Sequence, residues 1–244
     1  MKLQLSIIAQ ILAIGLFFND LHGQAPGGDF RCGMKFMDAR DSSEYNTVQI
    51  GTQCWMAENL NIGIKVSAIK DQRDNGVIEK YCYDNKEENC RIYGGLYQWS
   101  EMMQYEKTPN SRGICPEGWH VPSDEEWCLL ASYADSGVDC AHFGATGSST
   151  GILKSAGSIE SKTGLWYLPN EGAGETSGFS ALPGGTRSIY AKFHFLGYHG
   201  YYWTSTENSD QSAWFWYFKY SNNSIYRENY LKNSGYSARC VKDD

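Results

Sequence analysis

The chain opens with Lys2 and then an apolar run, Leu5 to Phe18, broken only by Ser6, Gln10 and Gly15 and closed by the polar pair Asn19-Asp20. That order of charge, apolar stretch and abrupt polarity is the pattern of a secretory signal peptide. The run is shorter than the ~20 apolar residues that cross a bilayer, and no later segment supplies another. Gly23 marks the expected cleavage point, so residues 1–23 are read as the signal and Gln24 as the first mature residue; a cut after Ala25 would place Pro26 beside it. Cys32 follows Asp29-Phe30-Arg31 rather than small residues, which argues against a lipid anchor.

Residues 24–44, rich in Gly, Asp and Ser, read as a lead-in segment to a domain spanning 45–244. Thr47 to Ile50 alternates before Gly51, which predicts a short strand. Leu96, Trp99 and Met103 follow Gly94-Gly95 at helical spacing and predict a short helix over 96–104. The sharpest start signal is Val121-Pro122-Ser123-Asp124-Glu125-Glu126-Trp127. Ser123 can cap the N–H of Glu126 while the Glu126 carboxylate reaches back, and Asp124 and Glu125 suit the positive end of the helix dipole. Trp127, Leu130, Ala131 and Ala134 then share one face, so a helix is predicted over 123–134. From Gly137 to Gly185 small and polar residues recur too often for long strands, with a brief helical pattern at Ile152 to Ala156. Alternation returns over Ile189 to Phe195, Tyr201 to Ser205 and Ala213 to Tyr220. Ser224 to Arg227 and Gly235 to Val241 are predicted to complete a meander. Helices early, antiparallel strands late and no internal repeat give an α+β domain.

Composition narrows the partners. With 244 residues and a formal charge of −7, the chain has no clustered Lys/Arg stripe, so neither nucleic acid nor an anionic membrane surface is an expected partner. Eight cysteines in an exported chain without a Cys-x-x-Cys pair predict four disulfides rather than metal ligands. Their connectivity is formally open to about 105 arrangements. A Cys82–Cys90 clip would shape the polar segment it brackets, and a Cys115–Cys240 bridge would close most of the domain. Chain entropy assigns these loops roughly 2.6 and 5 kcal/mol as upper values. Elimination then leaves Cys128 with Cys140 and Cys32 with Cys54.

A series of ordered blocks resembles a known family. They are Gln49-Ile50-Gly51-Thr52-Gln53-Cys54-Trp55-Met56-Ala57-Glu58-Asn59-Leu60-Asn61; Tyr93-Gly94-Gly95-Leu96-Tyr97-Gln98-Trp99; the stretch Cys115-Pro116-Glu117-Gly118-Trp119-His120 running on to Trp127; Gly178-Phe179-Ser180-Ala181-Leu182-Pro183-Gly184-Gly185; and Tyr202-Trp203-Thr204-Ser205-Thr206-Glu207, with Ser237-Ala238-Arg239-Cys240-Val241-Lys242-Asp243 at the end. Together they resemble the Fibrobacter succinogenes major paralogous domain over about Tyr45 to Asp244. The resemblance implies a C-type-lectin-like fold, related to the formylglycine-generating enzyme domain and to phage receptor-binding modules. Such a fold joins its two ends in a small sheet, carries two main helices and gives a long loop region to ligands. It also supports Cys82 with Cys90 and Cys115 with Cys240, while Cys32, Cys128 and Cys140 look like additions. It attaches no activity, and fold kinship alone cannot supply one.

Candidate chemistry was weighed on the residues. The oxidase kin use a cysteine pair near the C-terminus, whereas Cys240 stands alone. The five histidines show no ligand spacing such as His-x-x-x-His. Glu171 with Glu175, or Glu207 with Asp210, would be the carboxylate pairs of a polysaccharide hydrolase. Binding fits better: Trp203, Trp214 and Trp216 lie in one aromatic stretch, with Glu207 and Asn208 placed to orient hydroxyls, and flat rings suit sugars or a protein surface. Asn170, Glu171 and Glu175 form an oxygen cluster for Ca²⁺ as the alternative to no cofactor, although the lectin Glu-Pro-Asn motif is absent. The expectation is a secreted, non-catalytic recognition module of a bacterial surface or the extracellular space, binding glycan or protein. Its rivals are a secreted polysaccharide hydrolase and a structural part of a surface assembly.

Overall fold

The computed structural model describes residues 30–174 and 176–244, and the expected signal peptide lies outside them. From the N-terminal side the elements are β1 (Phe36–Met37), β2 (Glu44–Tyr45), β3 (Thr47–Ile50), β4 (Gln53–Met56), β5 (Ile64–Lys65), β6 (Glu79–Lys80), α1 (Glu87–Tyr93), β7 (Leu96–Tyr97), α2 (Trp99–Met102), β8 (Trp119–His120) and α3 (Asp124–Ala134). There follow β9 (Gly144–Thr146), β10 (Thr186–Arg187), β11 (Phe193–His194), β12 (His199–Glu207), β13 (Ser212–Lys219), β14 (Ile225–Leu231), β15 (Tyr236–Ser237) and β16 (Val241–Lys242). The class is α+β. A six-stranded sheet runs β7-β15-β12-β13-β14-β9, and a four-stranded sheet runs β3-β4-β16-β8, so the C-terminal strand closes against the first strands of the domain.

The main core lies between the inner face of the β12–β14 meander, α3 and the four-stranded sheet. Trp55, Trp127, Leu130, Phe179, Tyr202, Trp216 and Phe218 are buried there. The opposite face of the meander is also covered. Tyr201 stacks on Tyr217 and on Tyr236 with ring centres 5.0 Å apart in each pair, and Trp203 packs on Tyr236 at 4.3 Å. A sheet apolar on both faces needs cover on both, and this explains the aromatic density of β12 and β13.

α3 begins where Ser123 predicts: Ser123 Oγ accepts from the Glu126 N–H, and the Glu126 carboxylate accepts from the Ser123 N–H at 2.8 Å. Other expectations shift. The helix predicted from residue 96 starts only at Trp99, because Leu96 and Tyr97 pair with Ser237 and Tyr236 as β7. α1 forms in the segment that read as merely polar, with Glu87 and Glu88 in its first turn. The alternation over 189–195 yields only β11, since Ala191 and Phe195 adopt positive φ and turn the chain. Gly235 to Val241 does not extend the meander: β15 runs parallel to β12, and β16 crosses to the other sheet. In the loop-rich stretch the helical pattern is a single 3-10 turn, Thr150–Leu153.

The four disulfides are Cys32–Cys54, Cys82–Cys90, Cys115–Cys240 and Cys128–Cys140. Residues 31–44 pack with the rest in one compact unit, Arg31–Asp244. Besides the first bridge, Thr47 Oγ1 donates to Met34 O and accepts from the Gly33 N–H.

The family-like blocks converge on one buried group. Arg239 is 1% exposed. Its guanidinium donates to Asn59 Oδ1 at 2.7 Å, to Ser180 O and to Phe179 O, and lies over the Phe179 ring. Asn59 in turn donates to Tyr93 O and Ser237 Oγ. Gly94 is required here: it has φ +82, and a Cβ would stand 2.5 Å from Asn59 Cβ. These motif residues hold the frame together rather than face solvent.

Candidate functional site

The frame leaves an open cleft of about 370 Å³ beside the β12–β13 turn and the end of β14. It is lined by the apolar Ile189 and Leu231, by the polar Ser100, Asp210, Gln211 and Asn233, and by the buried Lys232. The turn is fixed locally: Asn208 N–H donates to Ser212 O at 2.9 Å, Asn208 Nδ2 donates to Ser212 Oγ at 3.0 Å, and Ser209 and Ser212 share a hydroxyl contact. A register shift between Trp203 and Glu207 bends β12 as it enters the turn, as a bulge does.

Lys232 is 7% exposed. Its ammonium pairs with the Glu207 carboxylate, donates to Asp210 O at 3.1 Å and lies 4.3 Å from the Trp99 ring centre. The pair neutralises both charges and fastens the turn to the base of the cleft. Trp99 is held from behind, donating its indole N–H to Thr204 O at 2.8 Å. Among the described residues the side-chain amides of Gln211 and Asn233 and the Ser100 hydroxyl make no hydrogen bond. The cleft therefore offers neutral donors and acceptors and the exposed Asp210 carboxylate beside apolar side chains.

The sequence-predicted binding residues separate. Glu207 and Asn208 build the turn that borders the cleft. Trp203 and Trp216 are corrected to core positions: both are fully buried, and their indole N–H groups are taken by Tyr97 O and the Asp124 carboxylate. Trp214 is half-buried at the surface. The Arg227 guanidinium lies 3.6 Å from its ring centre, Phe143 meets it edge-on at 6.3 Å, and Asp124 binds Arg227. Each cation–π contact of this kind is worth about 0.5–1 kcal/mol at an exposed site; Trp214 is the one tryptophan of the three that is not fully buried.

Among the described residues no group of three His, Cys, Asp or Glu side chains comes together. Asn170 is turned inward, donating to Ser155 O and Gly157 O. Glu171 lies on the surface, and Glu175 lies outside the described residues. The cation in this region is Lys154, 1% exposed, whose ammonium donates to Lys219 O and Asn222 O. Burial pushes its pKa down to about 8 against the opposing pull of Glu171.

Sequence reasoning missed Leu231, Lys232, Asn233, Gln211, Ile189 and Ser100. No local signal marks them, because the cleft joins residues from segments more than a hundred positions apart. Only Asp210, adjacent to Glu207 and Asn208, belonged to a noted cluster.

The chain belongs to the family of the Fibrobacter succinogenes major domain, whose sequence profile matches residues 48–242. No curated protein and no solved structure matches it. The family carries no assigned function. Four disulfides are consistent with an extracellular protein, and among the described residues no helix is long and apolar enough to cross a membrane.

Proposed function

We propose that this protein is an exported, non-catalytic recognition module that binds a glycan or protein ligand in the cleft between Leu231 and the β12–β13 turn. The observation that carries the reading is the chemistry of that cleft: the apolar side chains of Ile189 and Leu231 together with unengaged amide and hydroxyl groups. Sugars present an apolar ring face and a polar rim, and pockets of a few hundred Å³ with few polar groups suit such ligands. Glu207 is held in an ion pair with Lys232, and a carboxylate so engaged is a poor general acid or nucleophile. This supports binding over hydrolysis. The joining of β3 and β4 to the C-terminal β16 in one sheet supports the C-type-lectin-like arrangement that we infer for the fold. The apolar run at the N-terminus supports export.

A glycan array and a pull-down against surface extracts, run with the purified protein and with Leu231→Asp and Asn233→Ala variants, test the proposal. The expected result is a defined ligand whose binding both variants weaken at unchanged melting temperature. Binding unaffected by either variant would place recognition elsewhere, and turnover of a polysaccharide would favour the hydrolase.

A further inference from the structure

A second pocket, which shares no lining residue with the recognition cleft, is cationic. It is a cavity of about 220 Å³ beside the Cys82–Cys90 bridge, lined by Lys65, Lys80 and Arg91 with Asn61 and Gly63 and by one carboxylate, that of Glu87. Its geometry follows from the parallel pair β5–β6, in which Lys65 stands directly opposite Lys80. Like charges in register on neighbouring strands oppose folding. Gly63 permits the arrangement: at φ +101 it approaches so closely that a Cβ would meet Ile78 O at 2.5 Å. Arg91, in the last turn of α1, adds a third cation from the other wall.

Little on the protein offsets these charges. The half-buried Lys80 ammonium donates only to neutral acceptors, Asn61 O at 2.6 Å and Asn61 Oδ1 at 2.8 Å. Burial lowers its pKa, with Asp41 and Glu87 acting only through space in the other direction. Lys65 lies 3.4 Å from Glu87, whose carboxylate is 72% exposed, and donates to Asn85 O. The Arg91 guanidinium has no hydrogen-bond or ion-pair partner among the described residues. Three cations, Lys65 and Lys80 half-buried and Arg91 exposed, thus share the pocket with the 72%-exposed Glu87 carboxylate, with Asp41 acting on Lys80 through space.

We propose that this pocket binds a single oxyanion group, a carboxylate or a sulfate ester, borne by an acidic ligand. Arg91 supplies the paired donors that fit such a group, and Lys65 and Lys80 supply point charge. Occupancy relieves the Lys65–Lys80 repulsion, so an anion stabilises the β5–β6 pair as well as the ligand contact. The site is independent of the recognition cleft and can be present whether or not the cleft binds sugar.

The test is an amide NMR titration of the full chain with inorganic sulfate, with glucuronate, and with glucose as the neutral control, followed by Arg91→Gln and Lys65→Gln. The expected result is saturable shifts confined to residues near Asn61, Lys65, Lys80 and Arg91 with either anion and none with glucose. Each variant should weaken binding roughly tenfold, the worth of one charge-assisted hydrogen bond. A response to one anion alone supports the site and identifies the group it prefers. Absence of saturable shifts with both anions, or affinity unchanged in both variants at unchanged melting temperature, overturns the proposal.

Discussion

Lys232 and Arg239 show two uses of a buried cation. Lys232 has a carboxylate partner, so Lys232→Met leaves Glu207 charged and three-quarters buried. Breaking a fully buried pair costs ~3–5 kcal/mol; with Glu207 a quarter exposed, about 2–3 kcal/mol is expected in urea unfolding. Replacing both, Lys232→Met with Glu207→Gln, should recover part of that loss, and the double-mutant cycle measures the coupling. Arg239 instead meets only neutral oxygens, from Asn59, Phe179 and Ser180. Arg239→Met strands these acceptors in the interior, and at ~1–3 kcal/mol for each unsatisfied group the melting temperature should fall by more than for any cleft variant. Lysine should not rescue it, because one ammonium cannot reproduce the fork. The burial of Trp216 was not legible in the sequence: alternation shows that Trp214 and Trp216 share a face but not that α3 covers Trp216 while Trp214 reaches the rim.

The start of α3 is the best example of local legibility, since every group in the capping box lies within four residues. The same helix start carries a contact that local reading cannot supply. His120 on β8 bridges Glu126 at 2.8 Å and Asp243 at 2.7 Å, tying the C-terminus to α3. Burial works to lower the His120 pKa, but the hydrogen bonds and charges of Glu126 and Asp243 prevail and raise it above 6.5. Burial likewise works to raise the Glu126 pKa, yet His120 and Ser123 hold it below 4.5. A raised histidine pKa contributes stability that is complete below about pH 6.5 and fades as pH rises through the folded value. A lowered carboxylate pKa contributes above about pH 4.5 and fades as pH falls. The latch is therefore strongest between these limits. Melting temperatures from pH 6 to pH 8.5 should fall more for the wild type than for His120→Gln, and parallel profiles would contradict the latch. Where partners are remote, elements misread: Gly235 to Val241 looks like one strand, yet it splits between two sheets because Leu96–Tyr97 and Trp55 lie far back in the chain.

For the whole molecule, the α+β class, the long loop region and the presence of four bridges were legible, because the cysteine count and the family-like blocks constrain global connectivity; α1 and the split of Gly235 to Val241 between two sheets were not. The cleft was not, because it is made by closure of remote segments, and the cationic pocket was not, because the β5–β6 pairing that sets Lys65 opposite Lys80 leaves no local pattern. Closure rests heavily on Cys115–Cys240, which spans 125 residues and lies next to Arg239. A Cys115→Ser, Cys240→Ser variant should lose up to about 5 kcal/mol by chain entropy; a Cys82→Ser, Cys90→Ser variant should lose less, roughly half, in denaturant titration. Equal losses would show that native packing, not loop closure, sets the contribution.

The central claim is that a cross-linked frame displays a cleft that binds without reacting. Its most direct measurement is to incubate the protein with the ligand found by array or pull-down, record the amide shifts, and recover the ligand for mass analysis. The account predicts an intact ligand and shifts centred on Ser100, Gln211, Leu231 and Asn233. A cleaved ligand, or shifts that leave those residues untouched, would contradict it.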